Sequence, residues 1–243
     1  LLPGTELVVK RCIHTSADFD YAKNLCFSEN AVEKAIQAIK DGACIVTDTQ
    51  MAKAGINKRA LARYGGEVYC FMSDEDVAAL AKKNGTTRAT ACMDKAAEMD
   101  EKLIFAIGNA PTALVRLYEL IEEGKISPEL IIGVPVGFVN VVQSKELIMH
   151  ADVPYIVAKG RKGGSNIAAC IVNALLYMID NRRKNKERAF VVCFFRNSSE
   201  GPFFMKGCPK KQKSCSSCLK YFSTADMQAE NLLREWKNRK EPG

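Results

Sequence analysis

The stretch LIFAIGNAPTALVRLYELIEEGKISPELIIGV, residues 103–134, holds a strand, a loop, a helix and a second strand in immediate succession. LIFAI (103–107) is an unbroken apolar run, the pattern of a strand covered on both faces. GNAP follows, and Pro111, with its fixed φ and no N–H to leave unpaired, suits the first turn of a helix. Leu114, Leu117, Tyr118 and Ile121 then share one helical face, and Gly124 provides the stop. LIIGV (130–134) is the second strand. Two such strands joined through a helix are read as neighbours in a parallel sheet.

The same order repeats outward from this unit. Upstream, the spacing predicts a helix from Asn30 to Gly42, with Asn30 and Glu33 at capping-box separation and Val32, Ile36 and Ile39 on one face. ACIVT (43–47) is the next strand and runs into the polar DTQMAKAG (48–55). Downstream, LIIGV leads through PVGF (135–138) into a helix ending near His150. YIVA (155–158) leads through KGRKGGS (159–165) into a helix from about Asn166 to Asp180. EVYCFM (67–72) is a further strand candidate, and Ser73 and Thr87 are each positioned to cap a helix. The reading is an α/β three-layer sandwich with a largely parallel central sheet flanked by helices, in a single main domain. Right-handed crossovers gather the glycine loops beyond the carboxyl ends of the strands, where a ligand is expected.

Composition narrows the partners. The chain has 243 residues and a formal charge of +7, but residues 1–180 carry 20 Lys/Arg against 22 Asp/Glu and residues 181–243 carry 15 against 6. The basic character belongs to the tail, so nucleic acid is not implied for the main body. Ten cysteines, several of them (Cys44, Cys70, Cys92, Cys170) within apolar stretches, point to a reducing, cytoplasmic setting rather than a disulfide framework. The longest apolar helix candidate, from Ile167 to Ile179, is too short to span a bilayer and contains Asn173.

Glycine loops at helix N-termini present backbone N–H groups to oxyanions, and GRKGGS (160–165) adds Arg161, Lys162 and Ser165. Tight βα turns would explain any single loop equally well. Neither G-x-x-x-x-G-K-[ST] nor G-x-G-x-x-G occurs, which disfavours an ATPase or a dinucleotide-dependent dehydrogenase. The chain has two histidines. His150 ends a helical stretch and fits a surface role, whereas His14 stands where the apolar LVV gives way to a polar run containing Asp18 and Asp20. Imidazole exchanges a proton near neutrality, and with no second histidine at metal-ligand spacing and no G-x-S-x-G elbow, a lone acid/base is the chemistry left. Arg11, three residues earlier, is either a salt-bridge partner of Asp18 or Asp20 or a planar fork for a substrate carboxylate.

Six motifs in order, RCIHTSADFDYAKNLCFSENAV (11–32), IVTDTQM (45–51), FAIGNAPTAL (105–114), IIGVPVGFVN (131–140), SKE (144–146) and GRKGGSNIAACIVNALL (160–176), resemble the precorrin-8X methylmutase family, including its cobalt-precorrin-8 branch. HTSADFDYA resembles that branch more closely. The resemblance implies an isomerase of vitamin B12 biosynthesis that moves a methyl group from C-11 to C-12 of the contracted macrocycle by a [1,5]-sigmatropic shift. The product is hydrogenobyrinic acid, or cobyrinic acid when cobalt is present. It implies that His14 is the catalytic histidine, that Arg11 binds substrate, that no cofactor is required and that the protein is a homodimer. Thr49, Asn109, Thr112, Arg116, Gly137, Arg161, Lys162 and Ser165 are rim candidates by loop position. Family members begin upstream of residue 1 with a helical segment that contributes to the site, so part of the pocket is expected to be missing here.

The resemblance stops near residue 180. Beyond it, residues 181–243 form a basic extension in which Cys193, Cys208, Cys215 and Cys218 are a zinc candidate, although only the last two have C-x-x-C spacing. A helix is expected from about Thr224 to Lys240. Two other readings stay open at this point: a tetrapyrrole-binding relative without turnover, and a separate zinc or nucleic-acid function in the tail.

Overall fold

The computed structural model describes residues 3–180. Six strands make one sheet: β1 (Leu25–Phe27), β2 (Cys44–Thr47), β3 (Val68–Tyr69), β4 (Leu103–Ile107), β5 (Leu130–Gly133) and β6 (Tyr155–Ala158), in the order β1-β6-β5-β4-β2-β3. All neighbours are parallel except β1, which runs antiparallel to β6 with Cys26 opposite Val157.

Strand side chains alternate between two cores, which is what makes the molecule three layers deep. On one face Ile45, Ile104, Ala106, Leu130, Ile132 and Ile156 pack beneath α1 (Glu6–Ser16), α3 (Ala31–Lys40), α5 (Lys58–Ala62) and α10 (Ser165–Ile179). On the other, Val46, Phe105, Ile107, Ile131 and Val157 pack beneath α6 (Glu75–Asn84), α7 (Arg88–Ala97), α8 (Pro111–Glu122) and α9 (Val141–His150). Two short helices, α2 (Tyr21–Asn24) and α4 (Gln50–Gly55), complete the set among the described residues. Every residue of β2, β4 and β5 is buried, as their continuous apolar runs require.

Pro111 occupies the first turn of α8, and Thr87 caps α7 by accepting the Thr90 N–H at 3.1 Å. Two expected caps do not form. Asn30 sits at φ 55°, in the left-handed region that asparagine tolerates, and its side chain makes no cap; the Glu33 carboxylate lies against Gly4 instead. Asp74, not Ser73, precedes α6, and the Ser73 hydroxyl accepts from the Gln50 amide at 3.2 Å. Only Val68 and Tyr69 of EVYCFM pair as strand.

The chain leaves β2 toward β3 on one side and leaves β4 toward β5 on the other. The gap between β2 and β4 is therefore the point where strand order reverses, the usual ligand crevice of an open α/β sheet.

Candidate active site at the carboxyl ends of the strands

The protein fills that crevice with its own carboxylate. Asp48, directly after β2, is 1% exposed and accepts three backbone N–H groups ahead of α8: Gly108 at 2.9 Å, Asn109 at 2.7 Å and Ala110 at 2.7 Å. Burial pushes its pKa up while these bonds pull it down, and burial wins. The amides of the β4–α8 loop are thus spent internally. The oxyanion-binding capacity expected of GNAP is already used, and Asn109 is held by its backbone.

The other loops interlock. A side chain at Gly163 would drive its Cβ into the Val134 carbonyl, and one at Gly108 would lie 2.6 Å from the Ser165 Cα; glycine is what permits these approaches. The Gly137 N–H donates to the Arg161 carbonyl at 3.2 Å. The Thr49 hydroxyl donates to the Ser165 hydroxyl at 2.8 Å and also caps α4 by accepting the Ala52 N–H. Thr49, Gly137, Arg161, Lys162 and Ser165 therefore belong to one connected rim.

The end of α1 joins this rim through charge. Ala17 turns left-handed at φ 54° and ends the helix. The chain then presents Asp18 and Asp20, whose carboxylates both meet the Lys162 ammonium at 2.6 Å. Lys162 accordingly draws the Asp18 carboxyl below its ordinary range, and its own pKa rises. The two aspartates hold a rim lysine, not Arg11. His14 lies exposed in the last turn of α1, four residues before Asp18. Arg11 sits one turn earlier with its guanidinium 5.1 Å from the Tyr177 ring, and its Nε is buried without a hydrogen-bond partner among the described residues. Thr15 bonds the Cys170 thiol at 3.1 Å, securing α1 to α10.

Several large apolar side chains stand in solvent beside these loops: Phe19 after α1, Met51 in the first turn of α4, and Val136, Phe138 and Val139 between β5 and α9. Arg161 lies 5.6 Å from the Phe138 ring. Apolar planes beside cations suit a flat conjugated ligand edged with anions.

Two rim candidates stand apart. Arg116 is held on the flank of α8 by Asp94 at 2.7 Å, Glu119 at 2.8 Å and Glu123 at 3.5 Å, which raise its pKa and commit its charge. Thr112 bonds the Thr87 hydroxyl and ties α8 to α7. Asp48 and Lys145 were not singled out from sequence. Lys145, on α9, is 1% exposed and donates to the carbonyls of Gly160 at 2.8 Å and Lys162 at 2.9 Å. Burial draws its pKa down to about 8. Cys193, Cys208, Cys215, Cys218 and the helix expected over 224–240 lie outside the described residues. Among the described residues no group of three or more His, Cys, Asp or Glu is arranged to hold a metal ion, and no helix is long and apolar enough to cross a membrane.

Residues 2–178 match the family model described as precorrin-8X methylmutase. A cobalt-precorrin-8 methylmutase of Salmonella typhimurium is 49% identical over 176 residues, covering 72% of this chain and 82% of that protein. A precorrin-8X methylmutase of Pseudomonas aeruginosa is 39% identical over 172 residues, covering 70% and 82%. The crystal structure of a precorrin-8X methylmutase from Thermus thermophilus superposes with a TM-score of 0.68 at 39% identity, covering 73% of this chain and 87% of that one.

Proposed function

The chain belongs to the precorrin-8X methylmutase family, and from that premise we propose that it is the isomerase that moves the C-11 methyl group of cobalt-precorrin-8 to C-12, with residues 1–180 as the catalytic part. The cobalt form is favoured because relatives bearing that name reach 49% and 45% identity, against 39% for the Pseudomonas precorrin-8X enzyme. Cobalt enters as part of the substrate.

The observation that carries the assignment to particular residues is the buried Nε of Arg11, without a hydrogen-bond partner among the described residues, one helical turn from exposed His14. A buried guanidinium N–H without an acceptor costs about 1–3 kcal/mol, so Arg11 gains when its fork turns out toward a substrate carboxylate. His14 lends a proton to the macrocycle, which makes the ring more electron-poor and eases methyl migration, and the proton returns as the product forms. The reaction is an isomerisation, so atoms and charge balance without a co-reactant. What the site must supply is a fixed ring geometry and one placed proton. Arg161 and the Ser165 hydroxyl grip peripheral carboxylates, Thr49, Gly137 and Lys162 hold the loops that carry them, while Phe19, Met51, Phe138 and Val139 cover apolar surface. In a homodimer these exposed side chains would also be shared with a second subunit, and the cysteine-rich composition suits the cytoplasm.

The test is turnover of cobalt-precorrin-8, followed by the absorption spectrum and the methyl position of the product. His14→Ala should retain product binding and lose at least a thousandfold in kcat. Turnover within tenfold of the original protein would reject the assignment of His14, and unchanged methyl connectivity with the original protein would reject the activity.

A further inference from the structure

Lys145 has no function in the reading above, and its setting calls for one. A lysine is almost never fully buried unless it is paired, yet among the described residues Lys145 forms no ion pair, and burial lowers its pKa. Its two hydrogen-bond acceptors are both carbonyls of the β6–α10 loop, Gly160 and Lys162. The intervening carbonyl, Arg161, is taken by the Gly137 N–H. Three consecutive carbonyls of this loop are therefore consumed from within the protein. A trans peptide is planar, so each N–H points away from the carbonyl before it. With the carbonyls of 160 and 162 drawn toward Lys145, the amides of Arg161 and Gly163 face away from it. Among the described residues the amides of Arg161, Lys162 and Gly163 donate to nothing.

Asp48 supplies the contrast. A buried anion gathers the amides of residues 108–110 inward and removes them from use. A buried cation at Lys145 gathers carbonyls inward and leaves the neighbouring amides free. Two loops of similar sequence character are thus given opposite polarity by one buried charge each.

We propose that Lys145 is a positioning residue for the reaction: its ammonium fixes the 160–163 loop with carbonyls inward, so that the amides of residues 161–163 form the cradle for the carboxylates along one edge of the tetrapyrrole. This rests on the proposed function, because it takes the macrocycle as the ligand of this rim.

The experiment titrates the full chain with hydrogenobyrinic acid and with its fully methyl-esterified form, which keeps the ring and removes the anionic charge. In the original protein the acid should bind at least tenfold more tightly than the ester. Lys145→Met should weaken the acid at least tenfold and the ester less than threefold, and should raise KM at least tenfold with kcat within threefold. Lys145→Gln, which keeps an N–H donor without the charge, should fall between the two. Equal weakening of acid and ester would make Lys145 merely structural and overturn the proposal. A second readout needs no variant: adding hydrogenobyrinic acid to the original protein should slow hydrogen exchange of the 161–163 amides at least tenfold, and unchanged exchange in the bound protein overturns the proposal even if neither variant folds. Absence of acid binding by the original protein would instead strike the proposed function itself.

Discussion

Replacing Asp48 with asparagine keeps the shape of the side chain and removes one acceptor oxygen and the charge. The carboxylate receives one N–H on Oδ1, from Gly108, and two on Oδ2, from Asn109 and Ala110. In the better of its two orientations the asparagine oxygen keeps the Asn109 and Ala110 bonds, and its NH2 group confronts the Gly108 N–H donor to donor. One charge-assisted bond is lost, about 1.5–3 kcal/mol, and a buried donor is left unpaired, about 1–3 kcal/mol. An opposing effect reduces the sum. Burial holds the folded pKa of Asp48 above its unfolded value, so the folded protein binds this proton more readily and ionisation costs stability. That cost sets in as pH rises above the unfolded carboxyl range, about 3.9, and is complete once pH has passed the folded pKa. Asparagine escapes it. The net loss should therefore lie near the low end, about 2 kcal/mol, which for a chain of this size lowers the thermal midpoint by about 4–8 °C. Asp48→Ala, which abandons all three amides, should lose more. Circular dichroism melts at pH 7 decide the matter. An Asp48→Asn midpoint within 1 °C of the original, or an alanine variant as stable as the asparagine variant, would refute the view that this carboxylate organises the β4–α8 loop.

Thr49→Val removes both the α4 cap and the bond to Ser165; equilibrium urea unfolding should show a loss of about 1–2 kcal/mol, with KM raised because the two loops part. Arg116→Met should leave KM for the macrocycle within twofold and cost about 1 kcal/mol of stability as Asp94, Glu119 and Glu123 lose their shared cation; steady-state kinetics that place a large KM effect on Arg116 would return it to the rim. Lys162 depresses the Asp18 pKa, so their pairing stabilises above the unfolded carboxyl pKa and fades as pH falls through the depressed folded value. In Lys162→Met, carbon NMR should find the Asp18 carboxyl titrating at higher pH, and an unchanged midpoint would contradict the ion pair.

The strands buried on both faces were legible because a short unbroken apolar run bounded by polar, proline or glycine residues has few other uses. LIFAI, LIIGV, YIVA and the CIVT of ACIVT became β4, β5, β6 and β2 with ends close to those expected. β1 was not legible: Leu25–Phe27 is three residues long and owes its pairing to a strand about 130 residues away. Asn30 shows how a local rule yields to backbone conformation, since its spacing to Glu33 was right and its φ was not. In the site, the connected rim followed from loop position. Asp48 and Lys145 did not, because an aspartate in a βα turn and a lysine on a helix both read as solvated until packing seals them in. Arg116 failed in the opposite direction. Its acidic cage draws on Asp94 of α7, which no spacing within α8 could reveal.

The packing of α1 on α10 has a consequence in time. The helix carrying His14 is among the first described segments to be made, yet Val8, Val9 and Cys12 are buried in a core that α10 completes, roughly 150 residues later. At synthesis rates of about 5–20 residues per second, α1 waits on the order of 10 s for its seat. A nascent chain interrupted before Ser165 has its histidine and several of its strands but lacks the α10 face against which Val8, Val9 and Cys12 are buried. The seat of the helix that carries His14 is therefore among the last parts of the described fold to be made.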